Sequence, residues 1–140
     1  MILRLGPGLV LLLAILAWPG APALATHEPD HRYVVLGYVK DGAGRPLAGA
    51  TVRVVRNKTG LAYPARTDGE GFYLVVVHLH DEDVGETLTV SAAGAGAKIT
   101  ATFDPRDKRV ERGTRVDIEG GRAVERRALF ATTLKELLDR

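Results

Sequence analysis

The sequence predicts an all-β fold, an antiparallel sandwich of about seven strands followed by a short C-terminal helix. Beyond residue 32, apolar residues recur with period two, which is the pattern of strands with one buried face. Clusters of Gly, Asp, Asn and Pro separate these runs, and no helical segment lies between them. Many short strands at that spacing favour a sandwich over a parallel α/β sheet.

The strands follow from this alternation. Val52 and Val54 alternate with Thr51 and Arg53, and later segments repeat the pattern with threonines or charges as the polar members. The predicted strands are Tyr33–Val39, Ala50–Arg56, Leu61–Arg66, Phe72–His80, Glu86–Ala92, Ala97–Phe103 and Thr114–Ile118.

The carboxyl end differs from the rest of the chain. Four apolar residues fall at helical spacing: Phe130, Leu134, Leu137 and Leu138. They predict a short amphipathic helix over Leu129–Leu138, after an eighth strand at Ala123–Leu129. Because so short a helix is stable in water only when its apolar face is covered, we expect it to pack on an open end of the sandwich. The alternative is docking on a partner.

The amino-terminal residues have the three parts of a secretory signal peptide: Arg4 in a short basic start, an apolar run over Leu9–Trp18, and the small residues of Ala21–Ala25. We expect cleavage after Ala25 and export to the periplasm or the medium. A retained membrane anchor is disfavoured, since the apolar run is about ten residues and a spanning helix needs about 20.

The expected organisation is a signal peptide at 1–25, a flexible amino-terminal segment at 26–32, a β-sandwich domain at 33–120 and a strand-and-helix extension at 121–140. A chain of 140 residues has room for one such domain. It has no cysteine, so the core must hold without disulfides. Lys and Arg number 19 against 17 for Asp and Glu, which gives no electrostatic case for nucleic acid.

Two motifs resemble the carboxypeptidase regulatory-like domain. They are the segment 46–50 (Pro-Leu-Ala-Gly-Ala), which leads into a strand, and the segment 67–71 (Thr-Asp-Gly-Glu-Gly), which precedes Phe72. Glycines at such places permit positive φ in tight turns, and Asp41 and Asp68 can accept hydrogen bonds from amides two residues on, so these residues are interpreted as scaffold.

This resemblance implies an immunoglobulin-like or transthyretin-like sandwich without catalysis of its own, which accompanies catalytic, transport or surface-anchoring partners. A similar branch of transthyretin-type proteins hydrolyses a purine breakdown product and ends in Tyr-Arg-Gly-Ser. This chain ends in Lys-Glu-Leu-Leu-Asp-Arg140, which disfavours that activity.

The sequence gives little support to an enzyme. Ser91 is its sole serine, and it alternates with the apolar residues Leu88 and Val90, which places it on the solvent side of a strand. No phosphate-binding glycine loop and no dinucleotide motif occurs. The basic stretch at 106–115 is interleaved with acids and is interpreted as a solvated loop.

Histidines are the residues whose distribution points to a site. His78 and His80 share one side of an extended strand, as in some β-sheet metal sites. We expect Phe72 and Leu74 to point inward, so a bulge near residues 75–76 must turn Leu79 in and both histidines out.

Acidic neighbours could complete a site for Zn²⁺ or Cu²⁺. The candidate ligands besides His78 and His80 are Asp81, Glu82, Asp83, His27, Glu28, Asp30 and His31. Cleavage after Leu24 would instead leave Ala-Thr-His at the amino terminus, which suits square-planar Cu²⁺. The alternative to a metal site is a solvated strand end beside an acidic loop, and the spacing of a calcium loop is missing.

The sequence therefore favours a non-catalytic periplasmic or secreted β-sandwich that binds a protein partner or an extracellular polymer. It predicts no nucleic-acid partner, no cofactor and no membrane span after signal cleavage. The alternative is a periplasmic metal-binding protein that uses the two strand-end histidines for Zn²⁺ or Cu²⁺.

Overall fold

A computed structural model describes residues 31–140, in which eight strands form two four-stranded sheets. The predicted signal peptide, its cleavage position and the candidate ligands His27, Glu28 and Asp30 lie outside these residues. The elements are β1 (Arg32–Lys40), β2 (Thr51–Arg56), β3 (Ala62–Arg66), β4 (Phe72–His78), β5 (Thr87–Ala92), β6 (Ala95–Thr100), β7 (Gly113–Glu119), β8 (Arg122–Glu125) and α1 (Phe130–Leu138), with short 3-10 turns at Asp81–Asp83 and Arg127–Leu129.

The two sheets confirm the predicted sandwich. The first sheet has the strand order β4-β1-β7-β8 and the second has the order β3-β2-β5-β6. The neighbouring strands are antiparallel except for β1 and β7, which run parallel.

The core lies between the sheets and follows the predicted alternation. In β2, Val52 and Val54 are fully buried while Thr51 and Arg53 are exposed. The same alternation buries Leu88 and Val90 of β5. At about 1.5–3 kcal/mol for each buried aliphatic side chain, this row of apolar contacts supplies the stability that disulfides provide in disulfide-rich small domains.

The predicted inward side of β4 is wrong, and so is the bulge. Pairing between β1 and β4 runs without interruption from Arg32 opposite His78 to Tyr38 opposite Phe72. Tyr73, Val75, Val77 and Leu79 are therefore the inward residues, and each is almost fully buried. His78 and His80 point outward as predicted, because they simply alternate with Leu79.

The helix α1 covers the outer face of the first sheet and does not close an end of the sandwich. Phe130 forms a buried cluster with Val34 and Leu36 of β1, and the half-buried residues Leu134 of α1 and Phe72 and Leu74 of β4 pack against this cluster. A side chain at Gly113 would come within 2.5 Å of the Phe130 ring, so the bare glycine backbone of β7 lets that ring pack closely. The covered face, defined as this outer face of the first sheet, is thus a second small core.

A charged cluster occupies the rest of the covered face. The carboxylate of Asp117 is almost fully buried and accepts hydrogen bonds from Arg115, Arg126 and the Tyr38 amide. Arg115 also donates to the Thr133 hydroxyl of α1 at 3.0 Å. The cluster therefore ties the helix to β7 and supplies the Tyr38 amide with an acceptor where the parallel ladder is interrupted.

The helices within residues 31–140 are all too short or too polar to cross a bilayer.

Candidate functional site

The motif residues hold the turns of the sandwich. Thr67 is buried, and its hydroxyl donates to the Leu47 carbonyl at 2.5 Å and accepts the Ala50 amide at 2.8 Å. Asp68 accepts the amides of Glu70 and Phe72, each at 2.9 Å. The two motifs that are separate in sequence therefore bind each other, which agrees with their interpretation as scaffold.

The outer face of the second sheet is uncovered. We call it the open face, and it comprises the outward residues of four strands: Thr51, Arg53, Val55, Ala62, Pro64, Arg66, Thr87, Thr89, Ser91, Gly96, Lys98 and Thr100. Ser91 lies on this face opposite Arg53, in agreement with its predicted position on the solvent side of a strand. No element of residues 31–140 packs over this face as α1 does over the covered face.

Three cations cross the open face on a diagonal. Arg66 of β3 lies opposite Thr51, Arg53 of β2 lies two residues further along, and Lys98 of β6 lies opposite Thr89. With strands about 4.8 Å apart and a rise of about 3.4 Å per residue, the diagonal has steps of about 8 and 12 Å and a length of about 20 Å. This cationic diagonal was missed from the sequence, because it depends on the order of the strands.

The charge on the open face is of one sign. The strands β2, β3, β5 and β6 contain no Asp or Glu, although the sequence as a whole has 17 such residues. Arg53 and Lys98 have no ion-pair partner among residues 31–140, and Arg66 donates to the Gly49 carbonyl. Threonine and serine hydroxyls lie between the cations. The open face can therefore hold anionic groups with charge-assisted hydrogen bonds.

The histidine cluster lies in the first sheet, where the edge strand β4 ends. His31, just before β1, is drawn to this edge because the Leu79 amide donates to its carbonyl at 3.3 Å. The His31 ring centroid is 4.7 Å from that of His80 and 5.8 Å from that of His78. The Nε2 atoms of His78 and His80 are 3.1 Å apart. Three of the predicted ligands are thus brought together.

The acidic candidates point elsewhere. Asp81 is ion-paired with Lys108 and Arg112, and these hydrogen bonds lower the pKa of its carboxyl. Asp83 accepts the His80 amide at 2.8 Å, which lowers its pKa, and it lies near Arg56. Within residues 31–140, no three His, Asp or Glu side chains are arranged as a complete metal-ligand set.

Part of the basic stretch at 106–115 is not a solvated loop. Arg112 is buried, its guanidinium lies 4.4 Å from the centre of the Phe103 ring, and it donates to Asp81 at 2.8 Å. Sequence composition could not show this, since the partners are distant in the chain. The ion pair anchors the acidic turn after β4 to the rest of the fold.

Comparison with known families identifies the fold. A family model described as the carboxypeptidase regulatory-like domain matches residues 34–111, more than half of the chain. The chain belongs to this family. The matched part of this carboxypeptidase regulatory-like domain contains most of β1, all of β2 to β6, both scaffold motifs and the open face. No curated protein matches the chain at a significant level.

Solved structures similar to this regulatory-like domain include three dioxygenases. Catechol 1,2-dioxygenase from Acinetobacter sp. ADP1 shares 16% identity with a TM-score of 0.38, over 66% of this chain and 45% of that one. A dioxygenase domain from Streptomyces sp. SirexAA-E shares 15% with a TM-score of 0.39, over 73% and 80%. Chlorocatechol 1,2-dioxygenase from Pseudomonas putida shares 17% with a TM-score of 0.39, over 69% and 61%. The chain thus spans less than half of the Acinetobacter enzyme.

Proposed function

We propose that the protein is a non-catalytic binding module, exported from the cytoplasm, whose open face holds a linear acidic polysaccharide. The observation that carries this proposal is the cationic diagonal of Arg66, Arg53 and Lys98 on an uncovered sheet with no carboxylate in its four strands. A line of cations about 20 Å long suits an extended polyanion, which can meet each cation with a different repeat unit.

The chemistry beside the diagonal supports a carbohydrate over a protein partner. Protein interfaces concentrate aromatic and large apolar residues at their centres. The exposed large apolar residues of the described chain are Leu61, Val76, Val84, Val110, Leu129 and Leu138, and none of them lies in a strand of the second sheet. Hydroxyls of Thr51, Ser91 and Thr100 are available there instead to accept and donate hydrogen bonds with sugar hydroxyls.

Two further observations support a binding role outside the cytoplasm. The scaffold motifs are occupied by turn and strand hydrogen bonds, which leaves their polar side chains little capacity for chemistry. The signal peptide expected at Met1–Ala25 favours export, where acidic polysaccharides are exposed. The intact mass of protein recovered from the periplasm or medium tests this second point, and a mass that starts at Thr26 is expected.

The binding experiment uses polygalacturonate as the acidic probe and dextran as the neutral one, in affinity gel electrophoresis of the purified exported chain. We expect polygalacturonate to retard the protein at low salt and to lose that effect as salt rises, because exposed charges are screened within about 8 Å at physiological ionic strength. The double variant Arg53→Gln and Lys98→Gln should lose at least about tenfold in affinity, which is about 1.4 kcal/mol.

A matched control removes the same charge elsewhere. Arg109 and Arg122 are exposed and lie off the second sheet, so the double variant Arg109→Gln and Arg122→Gln should bind as the unaltered protein does. An equal loss of affinity in both double variants would show that binding depends only on net charge, and it would contradict a defined site. Absence of any retardation by polygalacturonate would contradict the proposal as a whole.

A further inference from the structure

The strand-end histidines lie at the end of β4, in the first sheet, and none of them belongs to the open face. His78 is the last residue of β4, and the backbone stays extended through His80, whose φ and ψ are −86° and 172°. Leu79 between them is buried in the core, so both imidazoles are held on the outer side. The edge that carries them is therefore fixed by core packing and not by a loose loop.

The spacing of the two rings matches a shared metal ion. Two imidazole nitrogens that each lie about 2.0–2.1 Å from one ion are roughly 3.3 Å apart in a tetrahedral site and roughly 2.9 Å apart at a right angle. The Nε2 atoms of His78 and His80 are 3.1 Å apart, between these two values. An ion can therefore bridge them with small ring movements.

His31 is placed to supply a third nitrogen. Its ring lies beside both others, with centroid distances of 4.7 Å to His80 and 5.8 Å to His78. Its backbone is fixed to the same edge by the hydrogen bond from the Leu79 amide. The ring is half-buried, and rotation about its own side-chain bonds is the movement that would bring a nitrogen to the pair.

Among the described residues, Asp81 and Asp83 are engaged in other hydrogen bonds and ion pairs. Asp83 accepts the His80 amide, which fixes the backbone that carries this ring. Asp81 is held by Lys108 and Arg112. Imidazole nitrogens without carboxylates favour Cu²⁺ and Zn²⁺ over Mg²⁺, Ca²⁺ or Mn²⁺, and Cu²⁺ is generally bound more tightly than Zn²⁺ by such ligands.

We propose that His78 and His80, joined by His31, form a surface binding site for Cu²⁺ and, more weakly, Zn²⁺. The site keeps open coordination positions for water or for a group of a second molecule, because three imidazoles do not fill a four-coordinate ion. It does not depend on the polysaccharide proposal, since the two sites share no residue.

Calorimetric titration of the purified exported chain with CuCl₂ and ZnCl₂ tests the proposal. We expect one site with a dissociation constant in the micromolar range or tighter, and Cu²⁺ ahead of Zn²⁺. The double variant His78→Gln and His80→Gln should lose at least about 100-fold in affinity, more than is usual for residues that only support a ligand. His31→Gln should lose about tenfold.

Two further measurements keep the result interpretable. The histidines lie on the surface, so circular dichroism should give the same metal-free melting temperature for the double variant as for the unaltered protein. Electron paramagnetic resonance of the Cu²⁺ complex should show coupling to imidazole nitrogen that disappears in the double variant. Absence of binding, or binding that survives loss of both histidines, would overturn the proposal.

Discussion

The two sheets bury their inner faces in the same way but differ in what their outer faces carry. The covered face of the first sheet is apolar beneath α1, where Phe72 and Leu74 pack against the buried cluster that contains Phe130, and its charges are paired within the cluster around Asp117. The open face of the second sheet carries small and hydroxyl side chains, and Arg53 and Lys98 have no ion-pair partner in residues 31–140. The outer face of the first sheet therefore contributes to stability, whereas that of the second sheet is left uncovered within residues 31–140.

Truncation of the helix residue Phe130 should have the largest effect on stability. Phe130→Ala removes a ring that is almost fully buried against Val34 and Leu36, so the free energy of unfolding should fall by about 3 kcal/mol. Leu138→Ala is the matched control on the same helix, because Leu138 is 73% exposed, and its effect should stay within about 0.5 kcal/mol. Urea denaturation measures both, and equal losses would mean that α1 is not docked on the sheet.

Asp117→Asn should have the next largest effect on stability. The change keeps the shape of the side chain but removes the charge that accepts bonds from Arg115 and Arg126, so a loss of about 2 kcal/mol is expected at pH 7. Thermal denaturation measures this loss. The control is Glu82→Gln, which neutralises an exposed acid outside this cluster. If Asp117→Asn leaves the free energy of unfolding unchanged, the buried charge cluster does not hold the covered face together.

The same carboxylate predicts a dependence on acid. Burial alone would raise the pKa of Asp117, but hydrogen bonds from Arg115, Arg126 and the Tyr38 amide outweigh it and hold the pKa below its ordinary value of 3.8. The unfolded chain therefore binds the proton first, so this contribution is complete above about pH 4 and is lost as the pH falls further. Unfolding free energies measured from pH 6 down to pH 2 should fall less steeply in Asp117→Asn than in the unaltered protein.

The strands of the two sheets differ in how well the sequence alone could predict their buried sides. Alternation in β5 fixed its buried side, because its polar residues lie on one side only. The same alternation holds in β2 from Thr51 to Val54, although Arg56 at its end shares the side of the buried valines. The strand β4 is apolar on both sides from Phe72 to Val77, so period two carried no information about which side meets the core. Its second apolar side is explained by α1, a contact between residues far apart in the chain.

The two candidate sites also differ in how far the sequence could predict them. His78 and His80 could be placed together from sequence, because the spacing of a strand is local. The cationic diagonal could not, since Arg66, Arg53 and Lys98 lie on three strands whose order is a property of the fold. The ion pair between Asp81 and Arg112 could not be predicted either, because it depends on the path of the loop before β7.

The smallest effect on stability is expected from the open face. Arg53→Gln and Lys98→Gln together should change the free energy of unfolding by less than about 0.5 kcal/mol, since both side chains are exposed and make no ion pair within residues 31–140. Urea denaturation of this double variant should overlay that of the unaltered protein. A loss near that of Phe130→Ala would assign these cations to the scaffold and remove the contrast between the two faces.

The division between the faces is tested most directly by nuclear magnetic resonance of the ¹⁵N-labelled protein during titration with oligogalacturonate. We expect the shifts to concentrate at open-face positions such as Arg53, Ser91 and Lys98, while the amides of Leu36 and Leu74 on the covered face stay unchanged. Shifts that concentrate on the covered face or on the loop at 104–112, with the second sheet unaffected, would contradict it.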